Sequence, residues 1–528
     1  MKKTHPPRPK TEKHLSPGLR RYLYVTAAVC GAAVLIVEIL GAKMLSPYFG
    51  TSHFVWTAQI AVTLVSLAVG YWFGGWLVDR TTKLNRLYTC ILIAAVYLCL
   101  TVPLCRPVAE GGLQLKLALG SLLASMFLFF IPLALLATVG PFLVRVMSAS
   151  VDVVGGQVGR LTAISTAGSV AGTILIGYAL IPFLPNSVTM LCTAVMLITL
   201  AVIYFSLWGR AKSKTVIALI AALVGLGTGW WGVGVDARIQ VPDVVELERS
   251  NSNFGLMQVV AATKPPYRLY FNDFLCQNGF DPRTRQSIHL FTYLLYGLAR
   301  AYTEKIENAL FIGLGVGIVP MQMAGEGVKV DVVEINPAVV PLAERYFEFK
   351  SGRVNLFIDD GRHFLNQCKR RYDTVILDAF LGDSSPSHLM TREAFESVHK
   401  VLKGDGTLVI NTFGNLEPGK DFSTASLAKT LRVVFKSVKL HAGKSDGNIF
   451  FVASDQNKLT FLRDPDQTDV HPSVAGRVAA AFAGVVQADP THGRVLTDDF
   501  NPVEFYDAAN REQLRRELAL FMNPQPIH

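Results

Sequence analysis

The stretch NALFIGLGVGIVPMQMAGEGVKVDVVEINP, Asn308 to Pro337, decides the fold of the C-terminal half. Its apolar opening predicts a strand, Gly313, Gly315 and Gly317 predict a tight turn, IVPMQMAG predicts a helix, and VKVDVVE predicts a second strand ending on Glu334. Glycines at such a turn let the backbone approach a ligand with no Cβ in the way. Glu334 follows Gly313 by 21 residues, where a carboxylate at a strand end can accept both hydroxyls of a ribose. Loop and spaced acid together point to nucleoside binding.

The alternation continues outward. Strands are expected near 309–312, 328–334, 354–358, 373–378, 406–411, 436–441 and 448–453, with helices near 318–325, 337–347, 362–369, 391–402 and 423–434. Such βα alternation predicts an open, mostly parallel, Rossmann-like sheet. An antiparallel hairpin made by the last two strands fits the class I methyltransferase variant of it. Upstream, LMQVVAAT and YRLYFNDFLCQNG predict a small antiparallel β unit.

Two more strands end on acids. FIDDGRHFL carries Asp359 and Asp360, either placed to receive an adenine amino group, and YDTVILDAFLGDSSPSHL carries Asp378 and Asp383 at the carboxyl edge of the sheet, where such sheets bind ligands. Any one of these acids alone is more often a helix cap or a solvated turn. Acids at successive strand ends, behind a glycine loop, make a site.

More than two hundred residues of another character precede this domain. The 51% of hydrophobic residues concentrate there, in seven apolar runs near 22–45, 55–78, 87–105, 115–144, 161–183, 187–208 and 215–234, each near the length that crosses a bilayer. The expected organisation is a basic N-terminal segment (1–21), a membrane domain (22–235), a small β domain (236–290) and the Rossmann-like domain (291–528). Lys and Arg cluster in the N-terminal segment, in DRTTKLNR and in GRAKSK, so the net charge of +10 reads as a topology signal and not as a nucleic-acid surface. These loops put the N-terminus in the cytoplasm, and seven crossings would then put the soluble domain outside. A cytoplasmic catalytic domain, where adenosyl ligands are made, requires a doubled pass within 115–144 or an interfacial 215–234 segment. Within the bundle, Gly168, Gly172 and Gly177 predict close helix packing, and Glu38, an acid in an apolar span, is expected to face a partner such as Lys43 or His53 or to line a cavity. The seven cysteines show no disulfide framework and no metal-ligand spacing.

From Val244 to about Ala509 the chain resembles the polyamine aminopropyltransferases, the spermidine synthase family. As a whole it resembles bacterial membrane-fused spermidine synthase-like proteins, through VEILGAKMLSPYFGTSHFVW, DRTTK and LTDDFNP. The resemblance implies decarboxylated S-adenosylmethionine as donor, an amine as acceptor, Asp383 as the base and Asp378 as a donor or amine contact. It also implies acceptor contacts from His289, kept within Ile288-His289-Leu290, and from Gln277. The family's loop aspartate is replaced by Val316, and the spacing from Asp378 to Asp383 is stretched. Asp498 and Asp499 are expected to fold back beside the acidic loop and supply the charge missing at Val316. S-adenosylmethionine-dependent methylation, lyase chemistry, and a transporter carrying an adenosyl-sensing domain are the rival readings. A membrane-associated acceptor and a homodimer are both compatible with this sequence.

Overall fold

The computed structural model describes residues 15–50, 53–148, 154–209, 212–236, 243–273, 275–380, 386–443, 447–486 and 491–503. The chain divides into two compact units, Met1–Ser46 with His53–Arg238 and Pro47–Ser52 with Ile239–His528.

Among the described residues of the first unit, seven helical segments are long and apolar enough to cross a membrane: Pro17–Phe49, Phe54–Arg80, Leu84–Gly112, Leu117–Met147, Val154–Phe183, Asn186–Trp208 and Lys212–Val235. The fourth breaks at Thr138 into Leu117–Ala137 and Val139–Met147. The doubled pass considered for this stretch is not found. Both pieces follow the second helix, Ala134 and Ala137 lying against Gly70 and Thr138 against Gly74. The last helix lies along the third, with Gly225 against Val96, Gly229 against Cys99 and Gly232 against Pro103. Gly168 and Gly172 bring the fifth segment against Ala28 and Ala32 of the first, whereas Gly177 has no neighbour a Cβ would meet. Small residues are what permit such approach where lipid supplies no hydrophobic drive. Glu38 is half-buried and makes no hydrogen bond or ion pair among the described residues.

The second unit holds two sheets. The first is an antiparallel meander of β1 (Val244–Ser252), β2 (Gly255–Ala262), β3 (Arg268–Asn272), β4 (Leu275–Asp281) and the short β5 (Gln286–Ser287). The second contains β6 (Asn308–Ile312), β7 (Lys329–Glu334), β8 (Asn355–Ile358), β9 (Tyr372–Leu377), β10 (Leu402–Phe413), β11 (Ser437–Ala442), β12 (Asn448–Ser454) and β13 (Val485–Val486), ordered β13-β11-β12-β10-β9-β6-β7-β8. β8, β7, β6, β9 and β10 run parallel, and β12 inserts antiparallel between β10 and β11. This is the expected methyltransferase-type sheet.

Side chains alternate across it, as the pleat requires. Ala309, Phe311, Val330, Val332, Ile376, Val409, Phe450 and Val452 enter one apolar core with helices Leu290–Tyr302, Ile318–Gly325, Val339–Tyr346 and Ala475–Ala483. Leu310, Ile312, Val333, Val375, Leu377, Leu408, Ile410 and Phe451 enter the other with helices Gly361–Gln367, Arg392–Val401 and Phe422–Val434. Two buried faces leave the sheet edge at the carboxyl ends of β8, β7, β6 and β9 as the place where polar side chains gather.

Candidate active site

Backbone hydrogen bonds hold those four strand ends in register. Asp359 N–H donates to the Glu334 carbonyl (3.1 Å), Gly313 N–H to the Val333 carbonyl (2.8 Å) and Asp378 N–H to the Ile312 carbonyl (3.0 Å). Gly313 has φ +98°, and a Cβ there would collide with the Asp378 carbonyl oxygen. The loop can therefore lie directly on the Asp378 station only because this residue is glycine. At Gly315, φ +56°, a Cβ would sit 2.7 Å from Asn278 Oδ1. Gly317 caps the following helix against Phe349 and does not line the cavity.

The cavity over this edge has a volume of about 410 Å³. Gly313, Gly315, Glu334, Asp359, Asp360 and Asp378 line one side, and Gln277 and His289 line another. The sequence-expected residues thus converge from β4, the segment after β5, and the ends of β6 to β9.

Each acid has a distinct environment. Glu334 accepts N–H bonds from Leu314 (2.9 Å) and Asn336 (2.7 Å), so it fixes the glycine loop as well as facing the cavity. Burial raises its pKa, opposed by these backbone donors. Asp359 contacts His363 Nδ1 at 2.9 Å. Asp360 caps helix Gly361–Gln367 by accepting from Arg362 N–H (2.9 Å) and His363 N–H (3.0 Å), with His388 Nε2 3.0 Å from its other oxygen. Burial works against ionisation of Asp360, but the His363 amide and His388 outweigh it and hold the carboxyl low.

Asp378 differs. Burial pushes its pKa up to about 6, opposed by the Asn411 amide, whose Nδ2 donates to Asp378 Oδ1 at 2.9 Å. Asn448 Nδ2 in turn donates to Asn411 Oδ1 at 2.8 Å, which orients the amide. A carboxylate near pH 6 in a cavity is poised to exchange a proton at neutral pH.

The remaining wall comes from the small β sheet and the segment after it. Burial pushes the Cys276 thiol up to about 12, and burial with Arg477 nearby pulls the His289 imidazole down to about 4. The two stand 3.9 Å apart as neutral groups.

Asp498 and Asp499 do not line the cavity. Asp498 accepts from Thr391 Oγ1 (2.6 Å) and pairs with Arg362 Nη2 (3.0 Å), so its charge is already engaged in pinning the 491–503 segment to the helices above the sheet. Val316 is 1% exposed in the apolar core, so that loop position presents no charge to replace. Asp383 lies outside the described residues.

Asn411, Asn448, Asn278 and Tyr270 line the cavity and were not among the sequence candidates. Asn411 and Asn448 had a usable signal, a polar amide inside or beginning a strand that is otherwise buried. Among the described residues, no group of three or more His, Cys, Asp and Glu side chains is arranged to hold a metal ion.

Comparison with known proteins adds relatives to this geometry. The family model for the spermine/spermidine synthase domain matches residues 290–442. A polyamine aminopropyltransferase of Vibrio vulnificus is 39% identical over 244 residues, which cover 42% of this chain and 77% of that protein. An N-terminal histidine N-methyltransferase of Emericella nidulans is 32% identical over 150 residues, 28% of this chain and 26% of that protein. A polyamine aminopropyltransferase of Thermoplasma volcanium is 32% identical over 144 residues, 26% of this chain and 52% of that protein. The chain therefore spans about a quarter and about half of these last two relatives. A spermidine synthase crystallised with the transition state analogue AdoDATO superposes with a TM-score of 0.37 at 18% identity, covering 45% of this chain and 85% of that one.

Proposed function

The chain belongs to the polyamine aminopropyltransferase family of transferases, and from that premise we propose that it transfers an aminopropyl group from decarboxylated S-adenosylmethionine to an amine, releasing methylthioadenosine. One observation carries the choice of donor. Four carboxylates and no Lys or Arg stand among the described residues lining the cavity. That field suits a sulfonium plus an ammonium, and it disfavours the additional carboxylate of S-adenosylmethionine itself.

In this reading Glu334 receives the ribose hydroxyls, and Asp359 or Asp360 lies toward the base. The acceptor nitrogen attacks the carbon beside the sulfonium. A C–N bond forms as the C–S bond breaks, the bonding pair goes to sulfur, and neutral methylthioadenosine leaves. One N–H proton of the acceptor passes to Asp378, whose position beside the glycine loop and pKa near 6 fit a base at neutral pH. This reading puts the base at Asp378; Asp383, the base that the family resemblance implies, lies outside the described residues. Because the sulfonium is already a good leaving group, most of the acceleration comes from orienting the two reactants.

We further propose that the helical unit anchors the enzyme in a bilayer with the catalytic domain on the cytoplasmic side, where the donor is made. With seven crossings this puts the N-terminus on the other face, against the Lys/Arg distribution. Impermeant maleimide labelling of single cysteines placed before the first helix and after the last reads this directly: a labelled C-terminal site in intact cells would refute the assignment.

The chemical test incubates the purified full chain with each sulfonium donor and an amine panel, followed by mass spectrometry. Amine-dependent methylthioadenosine from the decarboxylated donor is expected. Adenosylhomocysteine from S-adenosylmethionine would mean methylation, and amine-independent methylthioadenosine would mean lyase chemistry.

A further inference from the structure

We infer that Asp498 and Asn501, in the segment LTDDFNP, are positioning residues of the nucleoside pocket, and that they act by holding His388 against Asp360. Their role rests on the cavity taking an adenosyl ligand, and it is exerted from outside the cavity, which neither residue lines.

The wall beside Asp360 has little support of its own. Pro386, His388 and Leu389 line the cavity there, and their regular structure is one 3-10 turn, Ser387–Leu389. A turn of three residues fixes little by itself. It is gripped instead by side chains from two other segments. Asn501 Nδ2 donates to the Ser387 carbonyl at 3.0 Å, and Arg362 Nη1 donates to the His388 carbonyl at 3.4 Å and to Thr391 Oγ1 at 3.3 Å. Asp498 completes the grip, pairing through Oδ2 with Arg362 Nη2 at 3.0 Å and accepting through Oδ1 from Thr391 Oγ1 at 2.6 Å. The Ser387 and His388 carbonyls belong to the peptide groups on either side of the His388 Cα. Holding both fixes the direction in which the imidazole leaves the backbone.

The sequence of the segment suits this task. Thr497 N–H donates to the Phe500 carbonyl at 3.1 Å and Phe500 N–H to the Thr497 carbonyl at 3.2 Å, closing a turn with Asp498 inside it and Asn501 just beyond. Asn501 Oδ1 accepts from Val503 N–H at 3.3 Å, which orients its amide. Helix Arg392–Val401 moors the turn: Arg392 N–H donates to the Leu496 carbonyl at 2.8 Å, and Asp498 N–H donates to Glu393 Oε2 at 3.0 Å. At the cavity end, His388 Nε2 stands 3.0 Å from Asp360 Oδ2, while Asp360 Oδ1 accepts from the Arg362 and His363 amides. Arg362 thus serves both oxygens. Its amide holds one, and its guanidinium holds the backbone that carries the partner of the other. A carboxylate fixed at both oxygens is preorganised, so a ligand bound beside it does not bear the cost of ordering it.

The experiment measures binding of methylthioadenosine and of adenosylhomocysteine to the full chain by calorimetry. Asn501→Asp keeps the oxygen that Val503 N–H needs but removes the donor to Ser387. Affinity for whichever nucleoside binds should fall about three- to tenfold. His388→Ala should lose as much or more, and adding Asn501→Asp to it should cost less than about twofold further, because a residue that acts through His388 then has nothing left to position. Asp498→Asn, which weakens the Arg362 grip on the same backbone, should show the same dependence on His388. In turnover, Asn501→Asp should raise the donor KM by the same factor and leave kcat within about twofold, whereas a loss of folded protein would lower the apparent kcat at unchanged KM. Unchanged affinity in Asn501→Asp, or losses that add in full to that of His388→Ala, would overturn the inference. Adenosylhomocysteine as the turnover product would refute aminopropyl transfer and leave this role standing. Binding of neither nucleoside would overturn both.

Discussion

Asn411 Nδ2 donates to Asp378 Oδ1 across 2.9 Å, from a position 33 residues further along the chain. The parallel pairing of Ile410 with Leu377 sets this contact, because each strand's next residue then emerges at the same sheet edge. Asn448, from the antiparallel β12, holds the Asn411 amide in turn.

Replacing Asn411 by Leu removes the donor that favours the Asp378 carboxylate. The Asp378 pKa, about 6 with the donor present, should then rise. A hydrogen bond to a charged group contributes about 1.5–3 kcal/mol, or roughly one to two pH units. The acid limb of kcat/KM for the donor, measured at saturating acceptor, should move to higher pH by that amount. An unmoved limb would remove Asp378 from the role of base.

Asp378→Asn should abolish turnover yet stabilise the protein at neutral pH. The folded pKa of about 6 lies above the ordinary value of 3.8, so the folded state holds its proton more tightly than the unfolded one. Below 3.8 both states are protonated and the group contributes nothing. As pH rises from 3.8 through about 6 the folded state loses stability, by at most ~3 kcal/mol, and the loss is complete above that window. Thermal melting of the Asn variant should exceed that of the wild type at pH 7.5 and match it near pH 3.5. No difference at pH 7.5 would mean that the carboxylate is not strained.

Glu334→Gln should weaken methylthioadenosine binding by roughly 10- to 100-fold, since one charge-assisted acceptor is lost to the ribose. Glu334→Ala should do more, because the Leu314 and Asn336 amides also lose their acceptor and the glycine loop loosens. Calorimetry on the two variants separates ligand contact from loop support. Equal affinities for both variants would mean that the loop bonds do not matter.

Asp498→Asn is expected to cost about 1 kcal/mol of stability or less, the range of a partly exposed ion pair, through loss of the Arg362 contact. Binding of methylthioadenosine and of the amine-bearing donor should change by the same factor. A selective loss of the donor would return Asp498 to the substrate site.

What the sequence determined about this protein is what short-range chemistry encodes. A glycine turn between an apolar strand and a helix, a carboxylate ending the next strand, and apolar runs of bilayer length are all local patterns, because strand, turn and span are each decided by neighbours along the chain. Hence the parallel sheet, the strand-end acids Glu334, Asp359 and Asp360, and the candidate spans were legible. The tertiary structure alone decided which acid is buried beside an amide, that Asn411 and Asn448 reach it, that Asp498 is already paired with Arg362, and that Gln277 and His289 face the same cavity as the strand-end acids. Those properties arise from strand order and from which atoms exclude water around a group. Strand order joins residues far apart in sequence, and desolvation, which sets the Asp378 and His289 pKa values, exists only once the distant segments have packed.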